Sequence, residues 1–203
     1  MKGQGLNLRR VSSGFTLIEL VVVITILGIL AAIALPKFVA LQVDARIAKL
    51  NAARGAVAAG AAVVHSAYLT RSGSTDPAAL CGGLATNVAG TVAVPGTICT
   101  EGGLVNIIFG YPANVAFGTA GILSAAGLSS STFAPALTNL NEEGIGAAIV
   151  AGAGGTTTIS VVGGTGTSGA AGASVNTTCS FIYNTPTGAG VAPVISPLTI
   201  TGC

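Results

Sequence analysis

Across residues 15–35 the chain carries a single charge, the carboxylate of Glu19, in an otherwise apolar run. As a helix this run extends about 31 Å at ~1.5 Å per residue, matching the ~30 Å hydrocarbon core of a bilayer. A helix that apolar must be covered by lipid or by protein. A carboxylate inside it is costly in hydrocarbon and calls for a function. Residues 1–14 are polar and basic, with Lys2, Arg9 and Arg10. Cations on that side of a span place it in the cytoplasm.

The helical pattern does not end at Leu35. It passes Pro36 and Lys37, and Val43, Ile47 and Leu50 recur at steps of four and three. Asp44, Arg46, Lys49 and Arg54 fall on other faces, and Ala-rich sequence continues to Leu69. The expectation is one helix over 15–69, kinked or loosened at Pro36. Gly28 is a second weak point, at about 1 kcal/mol relative to Ala. Beyond Arg71 the segments 104–109, 145–150, 156–162, 175–183 and 198–201 are rich in β-branched or aromatic residues, with Gly and Pro between them. Residues 163–172 read as a Gly/Ser/Thr/Ala loop. The fold class is α+β: a long N-terminal helix whose second half packs on a small antiparallel sheet. Three regions follow, residues 1–14, 15–69 and 70–203.

Charge narrows the function. The formal net charge is +2, but removing residues 1–14 leaves five Lys/Arg against six Asp/Glu. No Lys or Arg occurs after Arg71. Nucleic-acid binding needs cations that displace counterions from phosphates, so the C-terminal part is not expected to bind DNA or RNA. Catalysis is not expected either. Asp76, Glu101 and the Glu142/Glu143 pair have no His, Lys or nucleophile arranged near them in sequence, and the single His, His65, lies on the Ala-rich helix. No cofactor or metal is expected. The oxygen-rich run 139–144 lacks EF-hand spacing and reads as a solvated acidic turn. Asn176-Thr177-Thr178 fits the N-x-[ST] glycosylation pattern.

Four cysteines, Cys81, Cys99, Cys179 and Cys203, follow the apolar run and permit three pairings. Proximity favours Cys81–Cys99 and Cys179–Cys203, bonds that persist in an oxidising compartment. A zinc site is disfavoured, because no C-x-x-C pair exists and His65 is far from all four.

A secretory signal peptide is disfavoured by the length of the apolar run, by Glu19 within it and by Pro36 just past the A-x-A at Ala32-Ile33-Ala34. A plain single-pass anchor fits the length but leaves Glu19 without a reason. The segment GFTLIELVVVITILGILAAIALPKF resembles the N-terminus of type IV prepilins. The matching features are Gly14 before the cut, Phe15 as the first mature residue, Glu19 at the fifth mature position and Pro36 at the twenty-second. Phe15 and Pro36 are similar to the type IVa class, although the fourteen-residue leader is longer than usual there. Val105 to Pro112 and Val39 to Arg46 are similar to pilins of the mannose-sensitive haemagglutinin type.

The resemblance implies a life history. A membrane prepilin peptidase would cut between Gly14 and Phe15 and N-methylate Phe15. The subunit would wait in the bacterial inner membrane, and an assembly platform with its ATPase would pull it into an extracellular filament of identical copies. This chain has no P-loop of its own, so that ATPase is another protein. Glu19 would mark register by meeting the terminal amine of a neighbouring subunit, or of its own helix. Gly28 and Pro36 would bound a stretch that loosens on assembly. Cys179 and Cys203 would close the C-terminal region, with Cys81–Cys99 an additional staple. The implied function is a structural pilus subunit serving adhesion or surface motility. The alternative is a pseudopilin of a type II secretion machine. A DNA-uptake minor pilin is disfavoured by the missing cations after Arg71.

Overall fold

The computed structural model describes residues 14–71, 96–129, 133–162 and 175–203. The chain divides into two compact units, Met1–Gln42 and Val43–Cys203. One helix, α1 (Leu17–Arg71), spans 55 residues with Pro36 inside it. It is the helix expected from the sequence, displaced by two residues at each end. In the first unit its side chains have no cover: every described residue from Gly14 to Gln42 is exposed except the half-buried Ala34.

In the second unit α1 becomes one wall of a core. Leu50, Ala53, Val57, Gly60, Ala61 and Val64 are its buried residues, a spacing of three and four that defines one helical face. Among the described residues seven strands follow: β1 (Gly96–Thr100), β2 (Gly103–Ile108), β3 (Tyr111–Pro112), β4 (Ile145–Ile149), β5 (Thr156–Val161), β6 (Ser180–Asn184) and β7 (Val194–Ile195). They form two antiparallel sheets, β1-β2-β3 and β4-β5-β6-β7, where the sequence pattern pointed to one. Each sheet takes its own stretch of the helix. Leu50, Ala53, Val57 and Ala61 pack with Ala147, Ile159, Phe181 and Tyr183 of the four-stranded sheet. Val64 packs with Ile98, Val105 and Ile107 of the three-stranded one. Each fully buried Leu, Ile or Val stabilises by about 1.5–3 kcal/mol relative to exposure.

Two short helices bridge the sheets, α2 (Ile122–Ala125) and α3 (Leu137–Glu142). The hydroxyl of Ser124 accepts from the Gly121 N–H at 3.3 Å, and Asn139 Oδ1 accepts from the Ala136 N–H at 3.0 Å, so each helix start is capped by its own third residue. α2 lies against α1 at Gly60, where an added Cβ would stand 2.5 Å from the Ala125 carbonyl oxygen. Only a glycine lets the two backbones come so close.

The expected strands 104–109, 145–150 and 156–162 appear within a residue or so as β2, β4 and β5. The segment 175–183 becomes a strand only at Ser180. Asn176 Oδ1 accepts from the Thr178 N–H at 3.0 Å and from its hydroxyl at 2.7 Å, making a turn before the strand. The segment 198–201 is not a strand. It keeps one bridge, Ser180 to Thr199, and the ladder is carried by β7 instead. Pro197 lacks the N–H that would join them. The expected loop at 163–172 lies outside the described residues.

Candidate functional site: the N-terminus of the long helix

Gly14 and Phe15 precede α1 in exposed, non-helical backbone, with the Phe15 side chain 92% exposed. The helix opens at Thr16. Its carbonyl accepts the first helical bond, from Leu20 N–H at 3.3 Å. Its N–H and its hydroxyl both donate to Glu19 Oε2, at 2.8 and 3.0 Å, and the Glu19 N–H reaches back to the Thr16 hydroxyl at 3.4 Å. Thr16 and Glu19 thus form a capping box, satisfying donors that the first turn leaves open. Among the described residues, both donors to the carboxylate belong to Thr16. The sequence reading missed this role. The signal was present as Thr16-x-x-Glu19 ahead of an apolar run, but the cost of a charge in hydrocarbon drew attention to Glu19 alone.

The capping box fixes the direction of the carboxylate. It folds back along the helix toward Phe15, next to the position where a cut after Gly14 would create an amine. Downstream, an 18-residue window of α1 reaches a mean hydropathy of 2.8 with none of it buried. Thr25 is polar within this stretch, and its hydroxyl donates to the Val22 carbonyl at 2.8 Å, leaving no unsatisfied donor facing outward. α1 continues as a helix through Gly28 and Pro36.

The second unit holds the disulfides. The Cys179–Cys203 bond exists, with the two Cα atoms 4.8 Å apart. Cys99 is also disulfide-bonded, whereas Cys81 of the expected Cys81–Cys99 pair lies outside the described residues. Four cations of α1 hold backbone oxygens in this unit, the last of them Arg71, whose Nη1 donates to the Cys99 carbonyl at 2.7 Å. Arg46 Nη1 donates to the Cys203 carbonyl at 2.7 Å, and Arg54 Nε donates to the Ser196 carbonyl at 3.0 Å. Lys49 Nζ donates to the Glu143 carbonyl. That last contact bears on the oxygen-rich run 139–144. The expected solvated acidic turn is for the most part the helix α3, with Glu142 exposed on it, and the cation at the α3 C-terminus is the chain's own Lys49. Among the described residues no group of His, Cys, Asp and Glu could hold a metal.

His65 turns out to be a structural anchor. Its ring stacks on Tyr111 at 4.0 Å with an interplanar angle of 4°, and its Nδ1 lies 3.1 Å from the Gly110 carbonyl. A carbonyl only accepts, so Nδ1 carries the proton. These contacts hold the two-residue turn between β2 and β3, where Phe109 and Gly110 both have positive φ, +49° and +83°. Such a turn suits a tight hairpin, and the non-glycine residue in it needs outside support. Asn176 is only 2% exposed, with its Nδ2 donating to the Gly202 carbonyl at 3.3 Å, so it is not presented for glycosylation.

Residues 9–35 match the family model of the prokaryotic N-terminal methylation motif. This is the methylation motif of prepilins. The chain is also 51% identical, over 57 residues, to the type IV narrow pilus major component PilA5 of Thermus thermophilus. That stretch is 28% of this chain and 43% of the relative, so the chain spans less than half the length of the protein it matches. No solved structure matches it. The likeness to pilins therefore rests on the motif and on this 57-residue stretch, with which the long helix and antiparallel sheets are consistent.

Proposed function

We propose that this chain is the structural subunit of a type IV pilus, made as a prepilin, held in the inner membrane by α1 and then polymerised into an extracellular filament. The observation that carries this reading is the methylation motif, which runs into the apolar first part of a helix that nothing described covers. A disulfide-closed head, with no Lys or Arg of its own beyond Arg71, fits display outside the cell.

The residues take the following parts. Gly14–Phe15 is the bond cut by a prepilin peptidase, and Phe15 is the residue methylated. The new amine lies about one helical turn from Glu19. An unpaired carboxylate in an apolar filament interior costs several kcal/mol, and a cation in correct register offsets that cost. Glu19 thus penalises wrong registers more than it stabilises the right one. Gly28 and Pro36 supply the positions at which the helix would loosen on packing. An assembly platform and ATPase provide the force.

Two measurements test this. Electron microscopy of sheared surface material, with mass spectrometry, should find filaments of this chain beginning at methylated Phe15. Glu19→Ala should be cleaved and inserted normally yet give at least tenfold less filament. Wild-type cells with no such filaments would overturn the proposal, and a fully piliated Glu19→Ala strain would remove the register role.

A further inference from the structure

At the end of β3 the chain turns a short strip, Pro112 to Asn114, into the interior of the second unit, and all three residues are buried. Two side chains of the four-stranded sheet reach this strip. Thr157 and Tyr183 stand directly opposite each other on β5 and β6. The Tyr183 phenol donates to the Pro112 carbonyl at 2.9 Å, and the Thr157 hydroxyl donates to Asn114 Oδ1 at 2.7 Å. The two sheets are thus joined by polar contacts inside an otherwise apolar core. Asn114 is 1% exposed, and Thr157 and Tyr183 are fully buried. The Thr157 hydroxyl also fixes which way the amide lies. Its proton needs an acceptor, and Asn114 Oδ1 is the one it has, so the oxygen end of the amide faces β5. The nitrogen end, Nδ2, carries two N–H donors into the interior, and among the described residues it has no acceptor. A buried donor is rarely left dry, because the solvation it loses is not recovered.

A cavity of about 10 Å³ lies beside it, with Val115, Ala116, Phe117, Thr119, Ile122 and Ile149 in its wall. It starts at the residue after Asn114 and reaches Ile149, the cross-strand partner of Thr157. We propose that this cavity is the binding site of a single structural water, which accepts from Asn114 Nδ2 and completes the polar joint between the two sheets. The inference stands apart from the filament reading. Three observations favour water over another guest. The volume is that of one water and leaves no room for a larger molecule. The wall carries no ionisable side chain, so an ion bound there would be buried without a partner. Ala116 and Thr119 bring carbonyls and a hydroxyl to the wall, and a buried water needs such further partners. The covering loop is also held shut. The Ile122 N–H donates to the Ala113 carbonyl at 3.1 Å, and a Cβ at Gly121 would stand 2.4 Å from that same oxygen. A water beneath this loop exchanges slowly with the solvent.

The test uses the full chain in detergent micelles, with its Asn side chains carrying a nitrogen label for NMR. The Asn114 side-chain amide should show a direct cross-peak to water, with the sign that marks a long-lived water. The exposed Asn141 side chain meets only passing solvent and should show none of that sign. An Asn114 amide without the peak would overturn the proposal. So would a peak that disappears in Thr157→Val or in Tyr183→Phe, because it would then have been relayed by exchange through a hydroxyl. Denaturant unfolding reads the same site from its energy. The double variant Asn114→Leu/Thr157→Val removes the amide and the hydroxyl together while keeping similar volumes. If Nδ2 were dry in the native protein, its removal would raise the folding equilibrium constant by about tenfold or more. With the water in place there is no such penalty to relieve, and the double variant should fold no more stably than wild type. A gain of about tenfold or more would overturn the proposal.

Discussion

The phenol of Tyr183 donates to the carbonyl of Pro112 at 2.9 Å, tying β6 of the four-stranded sheet to β3 of the three-stranded one. Tyr183 is fully buried, and burial pushes its pKa up, with Tyr111 adding to the shift. An unfolded tyrosine ionises near pH ~10. The folded state resists that ionisation, so this group leaves stability intact below pH ~10 and lowers it as pH rises further. Thermal unfolding in detergent should give a level Tm from pH 7 to 9 and a fall above 10. Tyr183→Phe should lower stability at pH 7 by about 1–3 kcal/mol, because the Pro112 carbonyl is left buried without a donor. It should also make the alkaline fall shallower than in wild type.

Gly55 and Gly60 sit on the same helix and should respond oppositely to alanine. A Cβ at Gly60 meets the backbone of Ala125 and Ala126, which cannot easily move. Gly60→Ala should therefore cost about 1–3 kcal/mol. Gly55→Ala meets nothing and gains helix propensity, up to about 1 kcal/mol. Denaturant unfolding of the two variants side by side measures both signs.

Arg46 and the Cys179–Cys203 bond act on one residue from two sides. Removing the disulfide should cost about 2–4 kcal/mol. Arg46→Met should cost about 1–2 kcal/mol, through the lost charged hydrogen bond to the Cys203 carbonyl. Because both hold Cys203, a double-mutant cycle should be non-additive by at least ~0.5 kcal/mol.

Thr16 should behave as a helix cap. In detergent micelles, Thr16→Val should speed hydrogen exchange at the Glu19 amide, in keeping with a cap loss of about 0.5–2 kcal/mol. Thr16→Ser keeps the hydroxyl and should exchange like wild type.

Where the sequence was legible, periodicity carried the information. Leu50, Val57 and Val64 lie three to four residues from apolar neighbours over many turns, which no strand can use, so α1 was readable almost to its ends. β5, with Thr156 to Val161 β-branched throughout apart from Ser160, was equally plain. Strands β1 and β3 were not. Gly96 and Pro112 carry no strand propensity, and both strands form only because β2 lies beside them with its partners in register. The same holds at the site. Glu19 announced itself by its cost, whereas Thr16 resembles any other threonine until its hydroxyl is seen against the carboxylate. His65 looked inert because its partner, Tyr111, lies 46 residues away in the chain.

The cations of α1 that face the head, Arg46, Lys49, Arg54 and Arg71, all point at carbonyl oxygens, and no Asp, Glu, Lys, Arg or His follows Glu143. The side chains of the last sixty residues are therefore electrically silent. Dissolved salt has no side-chain charge there to screen, and acid or mild alkali has no side chain there to titrate between pH ~4 and ~9. Salt and acid would instead act on charges elsewhere in the chain, Glu19 first among them.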